Sequence, residues 1–311
     1  MTRKGPTNIA ASVRARLDDL RKKKGLELEL VLSNYAVERL LYRIGASPFA
    51  DRFVLKGATL FRLWTEERGR ATWDLDLLGR GASGIEEMAG VMREICAIDC
   101  EDGIRFDTGS VIAEEIRIPD EYGGVRVRLE ARLDAARIPV QIDIGFGDSV
   151  VPPATLQSFP VLLDHPAPSI LVYPKETVVA EKFEAMVAKG LTNTRMKDFY
   201  DIHRLAQTTE FQGELLTHAI RATFTRRNNP LPDSEPMALR PGFLNAPERL
   251  GAWRAFVRRG RLDASLDAEA ITASLRAFLL PILEATAQEL PFTKRWLPGG
   301  PWTPENEGGN A

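Results

Sequence analysis

Two aspartates two residues apart, Asp74 and Asp76, stand in the run Thr72-Trp73-Asp74-Leu75-Asp76-Leu77-Leu78. On a strand they project from the same face while Leu75 and Leu77 turn toward a core. Two carboxylates held side by side repel and tend to lose charge. A divalent cation between them removes that cost, and oxygen-only ligands suit magnesium. The competing reading is an exposed strand edge with two solvated acids. A third carboxylate, Asp143, lies in Pro139-Val-Gln-Ile-Asp-Ile144. There Val140, Ile142 and Ile144 share one face, Gln141 and Asp143 the other, on a strand able to lie beside Asp74 and Asp76. Its bland counterpart is a charge on the solvent face, as for the arginines of the preceding strand.

These residues need elements to carry them. Phe53-Val-Leu55 reads as a short apolar strand running into Lys56-Gly57-Ala58, then an amphipathic helix through Leu60, Leu63 and Trp64. Free N–H groups at such a helix start, with the dipole, make an anion site suited to a triphosphate. The alternative is an ordinary turn in which Gly57 only supplies positive φ. Upstream, the spacing predicts helices over Asn8–Lys24, closed by Gly25, and about Leu26–Ile44. The basic cluster Arg21 to Lys24 is either a phosphate-backbone contact or a solvated helix end favoured by the dipole. Downstream come a loop over Gly79–Gly84, a helix over Ile85–Ile98 and a β-rich stretch. In it Val125–Leu133 alternates strictly, residues 134–139 turn, and Pro139–Ile144 is the next strand. Gly145–Pro168 is irregular and Pro-rich, a seam between halves.

After about residue 170 every element reads as helical. A helix over Lys175–Lys189 puts Lys182 near its apolar stripe, where a lysine snorkels to water or meets an anion. A helix opening at Arg195 puts Asp198 and Asp201 on one face, as site residues or as capping and dipole partners. Helices follow at 213–226, 246–260 and 267–289. Arg226-Arg227 is a further phosphate-contact candidate, and the segment from Pro298 is expected to be disordered.

Composition sets bounds on the rest. With 311 residues, 27% charged, 44% hydrophobic and a net charge of -2, the chain has a globular profile and no strong general affinity for nucleic acid, though a local basic patch is compatible. Cys96 and Cys100, with three histidines in the chain, do not make a zinc set and read as reduced thiols. No signal peptide is expected behind Met1, and no stretch is expected to reach the ~18 apolar residues of a membrane span.

Leu55-Lys56-Gly57-Ala58, then Thr72-x-Asp74-Leu75-Asp76, then Asp143, resembles the active-site pattern of the polymerase-β-like nucleotidyltransferases. The further pattern Glu176-x5-Lys182-x2-Ala185 and Arg195-x-Lys197-Asp198-x-Tyr200-Asp201 resembles the AbiEii type of nucleotidyltransferase toxin. Ser12–Arg16 and Tyr35–Arg39 resemble that family too, and the likeness covers roughly residues 8 to 210. It implies an α+β fold: a polymerase-β-like nucleotidyltransferase core, a mixed sheet with flanking helices, plus a C-terminal helical domain. The expected domains are 1–170, 171–297 and a flexible tail, 298–311. It implies transfer of a nucleotide from an NTP, with two Mg2+ ions, to the 3′ end of tRNA, blocking translation, in a type IV-like toxin–antitoxin system.

By the same resemblance Asp74, Asp76 and Asp143 are metal ligands, and Asp143 also accepts the proton of the attacking hydroxyl. Lys56, Gly57, Ala58 and Thr59 line the nucleotide phosphates, and Lys182 neutralises triphosphate charge. Asp198 or Asp201 completes the site by orienting Lys182 or the nucleotide. Ala58 stands where the family commonly has Gly or Ser, so its N–H is kept and a hydroxyl is not. The implied partners are tRNA and a cognate antitoxin, with no membrane, for a cytoplasmic monomer. Two rival readings stay open: the same chemistry on a small molecule or protein side chain, and a non-catalytic nucleotide-binding module. A tRNA acceptor calls for a basic track, for which Arg14, Arg16, Lys22 to Lys24, Arg62, Arg195, Lys197 and Arg226 are the candidates.

Overall fold

A computed structural model of the chain describes residues 8–65, 72–116, 123–263 and 265–305. It divides into two compact units, Met1–Gly147 with Thr155–Val172, and Asp148–Ala154 with Tyr173–Ala311.

The first unit runs α1 (Ile9–Lys24), α2 (Leu28–Ala46), β1 (Phe53–Lys56), α3 (Phe61–Trp64), β2 (Asp74–Gly79), α4 (Ile85–Ala97), β3 (Ile104–Ile116), β4 (Gly124–Leu133), β5 (Ala136–Phe146), β6 (Thr155–Ser158) and β7 (Ser169–Val172). The start of α1 is fixed by the Asn8 side chain, which accepts from the Ala11 N–H at 3.0 Å, and its end by Gly25 at φ 60°. The strands form one mixed sheet in the order β3-β4-β5-β2-β1-β7-β6. β2 is parallel to β5 and β1 to β7, and the other neighbours are antiparallel. Leu75, Ile142 and Val127 are opposed across β2, β5 and β4, as are Leu77, Ile144 and Val125, and all are buried. α2 packs on β5 and β7, and α4 on β3 and β4. Arg39 and Arg43 of α2 are buried because Asp102 takes both, Arg43 through two nitrogens at 2.7 and 3.1 Å.

Three local expectations change. The helix expected after Gly57 is a 3-10 turn, Ala58–Leu60, followed by the single turn of α3, and residues 66–71 lie outside the described residues. The turn expected over 134–139 is only Asp134-Ala135, with Asp134 at φ 53°, and Leu133 pairs with Ala136. The Pro-rich seam is not all irregular, since β6 lies within it and pairs with β7 just beyond.

The second unit holds α5 (Lys175–Lys189), α6 (Met196–Thr208), β8 (Phe211–Gln212), α7 (Gly213–Arg226), α8 (Pro247–Gly260), α9 (Ala268–Ala287), β9 (Lys294–Trp296) and β10 (Trp302–Pro304). It is not purely helical, because β8, β9 and β10 form a small antiparallel sheet. The segment from Pro298, expected as a loose tail, is drawn in by aromatic packing: Trp302 stacks on Phe278 with centroids 5.6 Å apart and donates from Nε1 to the Phe278 carbonyl at 2.9 Å. Residues 306–311 lie outside the described residues. α9 is long and apolar enough, by length and composition, to cross a membrane, contrary to the expectation that no stretch would be. It packs on α6 and α7, and Ile271, Leu275, Phe278, Leu279 and Ile282 are buried there, so its apolar character is that of a core helix.

Candidate active site

The sheet register assembles a charged row in the first unit. Asp76 on β2 is opposed to Asp143 on β5, and Lys56 on β1 is opposed to Asp76. Arg126 on β4 is opposed to Asp143 from the other side. Directly opposed residues project from the same sheet face, about 4.8 Å apart between strands. The row therefore reads Arg126, Asp143, Asp76, Lys56, with Asp74 two residues along β2 beside Gln141. Asp143, distant in sequence, is thus a neighbour of the Asp74 and Asp76 strand, because β2 and β5 run parallel and in register.

Gly57 closes one side of this row. Its φ of 75° and ψ of -159° suit glycine alone. A Cβ there would also stand 2.6 Å from Asp76 Cγ and 2.7 Å from Asp76 Cβ. The glycine therefore does more than permit a turn: it gives the Asp76 carboxylate its room. Thr59 is buried, while Lys56 and Ala58 are partly exposed beside it.

Arg126 closes the other side. Its Nε donates to Asp143 Oδ1 at 2.7 Å and its Nη2 to Oδ2 at 2.6 Å. Those bonds, then the charges of Asp143 and Asp74, hold the guanidinium's pKa above its usual range. Strand alternation alone made Arg126 an ordinary solvent-side arginine. The signal that would have found it is the two-residue turn at Asp134-Ala135, which fixes the hairpin register and sets Arg126 opposite Asp143.

Asp74, Asp76 and Asp143 fit a hard divalent cation in kind: oxygen donors only, on one face of adjacent parallel strands. Among the described residues no three acid, histidine or cysteine side chains form a ready-made cage, and Asp143 is turned onto Arg126.

The other predicted site residues meet in the second unit. Lys182 Nζ lies 3.0 Å from Asp198 Oδ1 and 2.8 Å from Asp201 Oδ2, and only 12% of its side chain is exposed. It does not snorkel. Arg195 Nε reaches Asp198 Oδ2 at 2.6 Å. Asp198 and Asp201 are fully buried, one helical turn apart on α6. Burial pushes the Asp198 carboxyl up, but the charges of Lys182 and Arg195 outweigh it and leave it below the usual carboxylate range. Asp198 therefore serves the lysine and the arginine rather than capping its helix.

Much of the expected basic track is already paired. Arg14 meets Asp134 at 3.2 Å, Arg16 meets Asp164, and Arg21 and Lys22 meet Asp18. Arg62 lies over the Phe159 ring, 3.7 Å from the buried Glu38. Arg227 is tied to Glu184 at 2.5 Å within the second unit.

Among known proteins, no curated relative matches. Among solved structures, JHP933 from Helicobacter pylori is 16% identical with a TM-score of 0.44, over 81% of this chain and 89% of that one. A second structure, described as a candidate nucleotidyltransferase from H. pylori, is 17% identical with a TM-score of 0.46, over 84% of this chain and 97% of that one. The sequence model of a family described as nucleotidyl transferase AbiEii toxin, type IV toxin–antitoxin system, matches residues 39–278. That span reaches far past residue 210 and includes Gly57, the three aspartates, Lys182, Asp198 and Asp201, but begins after Ser12–Arg16 and at the end of Tyr35–Arg39. The chain belongs to the AbiEii family of nucleotidyltransferase toxins of type IV toxin–antitoxin systems.

Proposed function

We propose that this chain transfers a nucleotidyl group from an NTP to the 3′ end of tRNA in a magnesium-dependent reaction that blocks translation. The observation that carries the reading is the register of Asp76 against Asp143, with Asp74 beside them and Gly57 pressed close to Asp76. Asp74, Asp76 and Asp143 would hold the divalent cations. When bound, these supply positive charge to the attacking and leaving oxygens of an in-line displacement. The attacking hydroxyl forms a bond to the α-phosphorus as the bond to pyrophosphate breaks, and Asp143 accepts the hydroxyl proton. Backbone N–H groups at Gly57 and Ala58, with Lys56 and Thr59, would hold the β- and γ-phosphates. Lys182, paired with Asp198 and Asp201, would answer triphosphate charge. Family membership implies an antitoxin partner. A cytoplasmic monomer, with no membrane association, completes the proposal.

The test is incubation of the chain with magnesium, each of four α-labelled NTPs and total tRNA, beside Asp74→Ala and Asp76→Ala. Label on tRNA that disappears in both variants, with their folds intact by circular dichroism, is the expected result. A folded Asp76→Ala that keeps near-normal transfer sinks the assignment. The pairing of Arg14, Arg16, Arg62 and Arg195 with carboxylates favours a second reading, a small-molecule or protein acceptor. Label appearing on such acceptors and never on tRNA would establish it.

A further inference from the structure

We propose that Arg126 is a resident counter-ion for Asp143, holding the third carboxylate until a divalent cation displaces it toward Glu114. The inference deepens the metal reading of Asp74, Asp76 and Asp143 and rests on it. The charged row is one residue longer than the site itself, since Glu114 on β3 is opposed to Arg126 in the same register. The order across the sheet is Glu114, Arg126, Asp143, Asp76, Lys56. Acid, base, acid, acid, base leaves one unfavourable adjacency, Asp143 beside Asp76, where like charges stand directly opposed.

Arg126 answers the outer member of that pair with both arms of its guanidinium, at 2.7 and 2.6 Å. A two-pronged bond of this kind fixes the orientation of the carboxylate as well as its charge. Asp143 cannot give its oxygens fully to a cation while a second positive charge is forked onto both of them. Ion and guanidinium therefore compete for one carboxylate.

The arginine has somewhere to go. Its side chain is 30% exposed, so turning it away requires no repacking of the core. Glu114, directly opposed on its other side, is itself 46% exposed and now accepts from Arg128 at 2.7 Å. Glu114 thus offers a carboxylate one strand away that could receive the guanidinium once Asp143 is taken.

The test is Mn2+ binding to the purified full chain without nucleotide, read from the electron paramagnetic resonance signal of the free ion. Arg126→Ala is expected to tighten Mn2+ binding roughly fivefold, and Arg126→Lys, which keeps charge but loses the fork, about twofold. Glu114→Gln, which removes the receiving acid, is expected to weaken binding about twofold. In an Asp143→Asn background Arg126→Ala should change nothing, because the competition is for that carboxylate. If Arg126→Ala does not fold, Arg126→Lys and Glu114→Gln decide in its place. Wild-type binding that is lost in Asp74→Ala yet unchanged or weakened by Arg126→Ala overturns this proposal and leaves the metal site standing. Absence of Mn2+ binding in both wild type and Arg126→Ala overturns both.

Discussion

Replacing Gly57 by alanine tests the geometry of the site with one methyl group. The backbone at φ 75°, ψ -159° lies in a region nearly closed to any other residue, and forcing alanine into it costs about 2 kcal/mol. The new Cβ would also stand within 2.7 Å of Asp76 Cβ and Cγ, on a strand held from both sides by β1 and β5. Relieving that contact adds about 1 kcal/mol or more of overpacking. A total near 3 kcal/mol, with a denaturant slope of about 2 kcal/mol per molar urea, moves the unfolding midpoint of the first unit down by about 1.5 M. Transfer should fall further than stability, because the Asp76 carboxylate is the group pushed aside. The assay pairs a urea titration with labelled-NTP transfer at a urea-free temperature where the variant is folded. A Gly57→Ala chain with an unshifted midpoint and undiminished transfer would refute the claim that this glycine makes room for Asp76.

Three other outcomes follow from the same structure. Lys182→Met leaves Asp198 and Asp201 buried side by side and should cost about 3–4 kcal/mol. In the intact chain the Asp198 carboxyl is held low, so its contribution is complete above the unfolded carboxylate pKa of about 3.9 and is lost only as pH falls through the lower folded value. In Lys182→Met the largest charge opposing burial is gone and chiefly Arg195 remains, so the folded value rises, and the variant should lose less stability, or gain some, on going from pH 7 to pH 5 than the wild type does; thermal melts at both values check it. Cys96 is buried, which pushes its thiol up to about 12, so a native chain at pH 8 should give at most one fast-reacting thiol, Cys100, and two after denaturation. Trp302→Ala should lower the melting transition of the second unit by about 2 kcal/mol, because the ring stacks on Phe278 and meets Phe292 and Trp296; an unmoved transition would return this segment to the status of a tail.

Strong periodicity made most elements legible. The strands bearing Asp74, Asp76 and Asp143 alternate cleanly, and α5, α7 and α9 carry unbroken apolar stripes, so their existence and facing could be read directly. What could not be read was pairing. That β2 lies parallel to β5, with Asp76 beside Asp143, depends on contacts between residues far apart in the chain, and a strand's own pattern does not encode its neighbour. Arg126 was hidden for a narrower reason. A turn expected over 134–139 hides the two-residue hairpin whose register puts Arg126 on Asp143. Gly57 was legible as a positive-φ residue, but its closeness to Asp76 was not, because that is a cross-strand fact. Lys182 looked free to snorkel because its two partners lie on the next helix. The small sheet of β8, β9 and β10 is not legible in the sequence because its strands are two or three residues long and carry no measurable alternation.

The chain does not visit its two units in turn. It leaves the first at Gly147, contributes Asp148–Ala154 to the second, returns for Thr155–Val172, and leaves again. On a ribosome this order has a cost. β1, which flanks the strand of Asp76, is made early, yet its second neighbour, β7, is synthesised more than a hundred residues later. Until then Phe53, Val54 and Leu55 form one side of an unfinished sheet, the kind of apolar edge that recruits other strands. The nascent first unit is therefore a sheet with an open seam, and it closes only when Ser169–Val172 has left the exit tunnel.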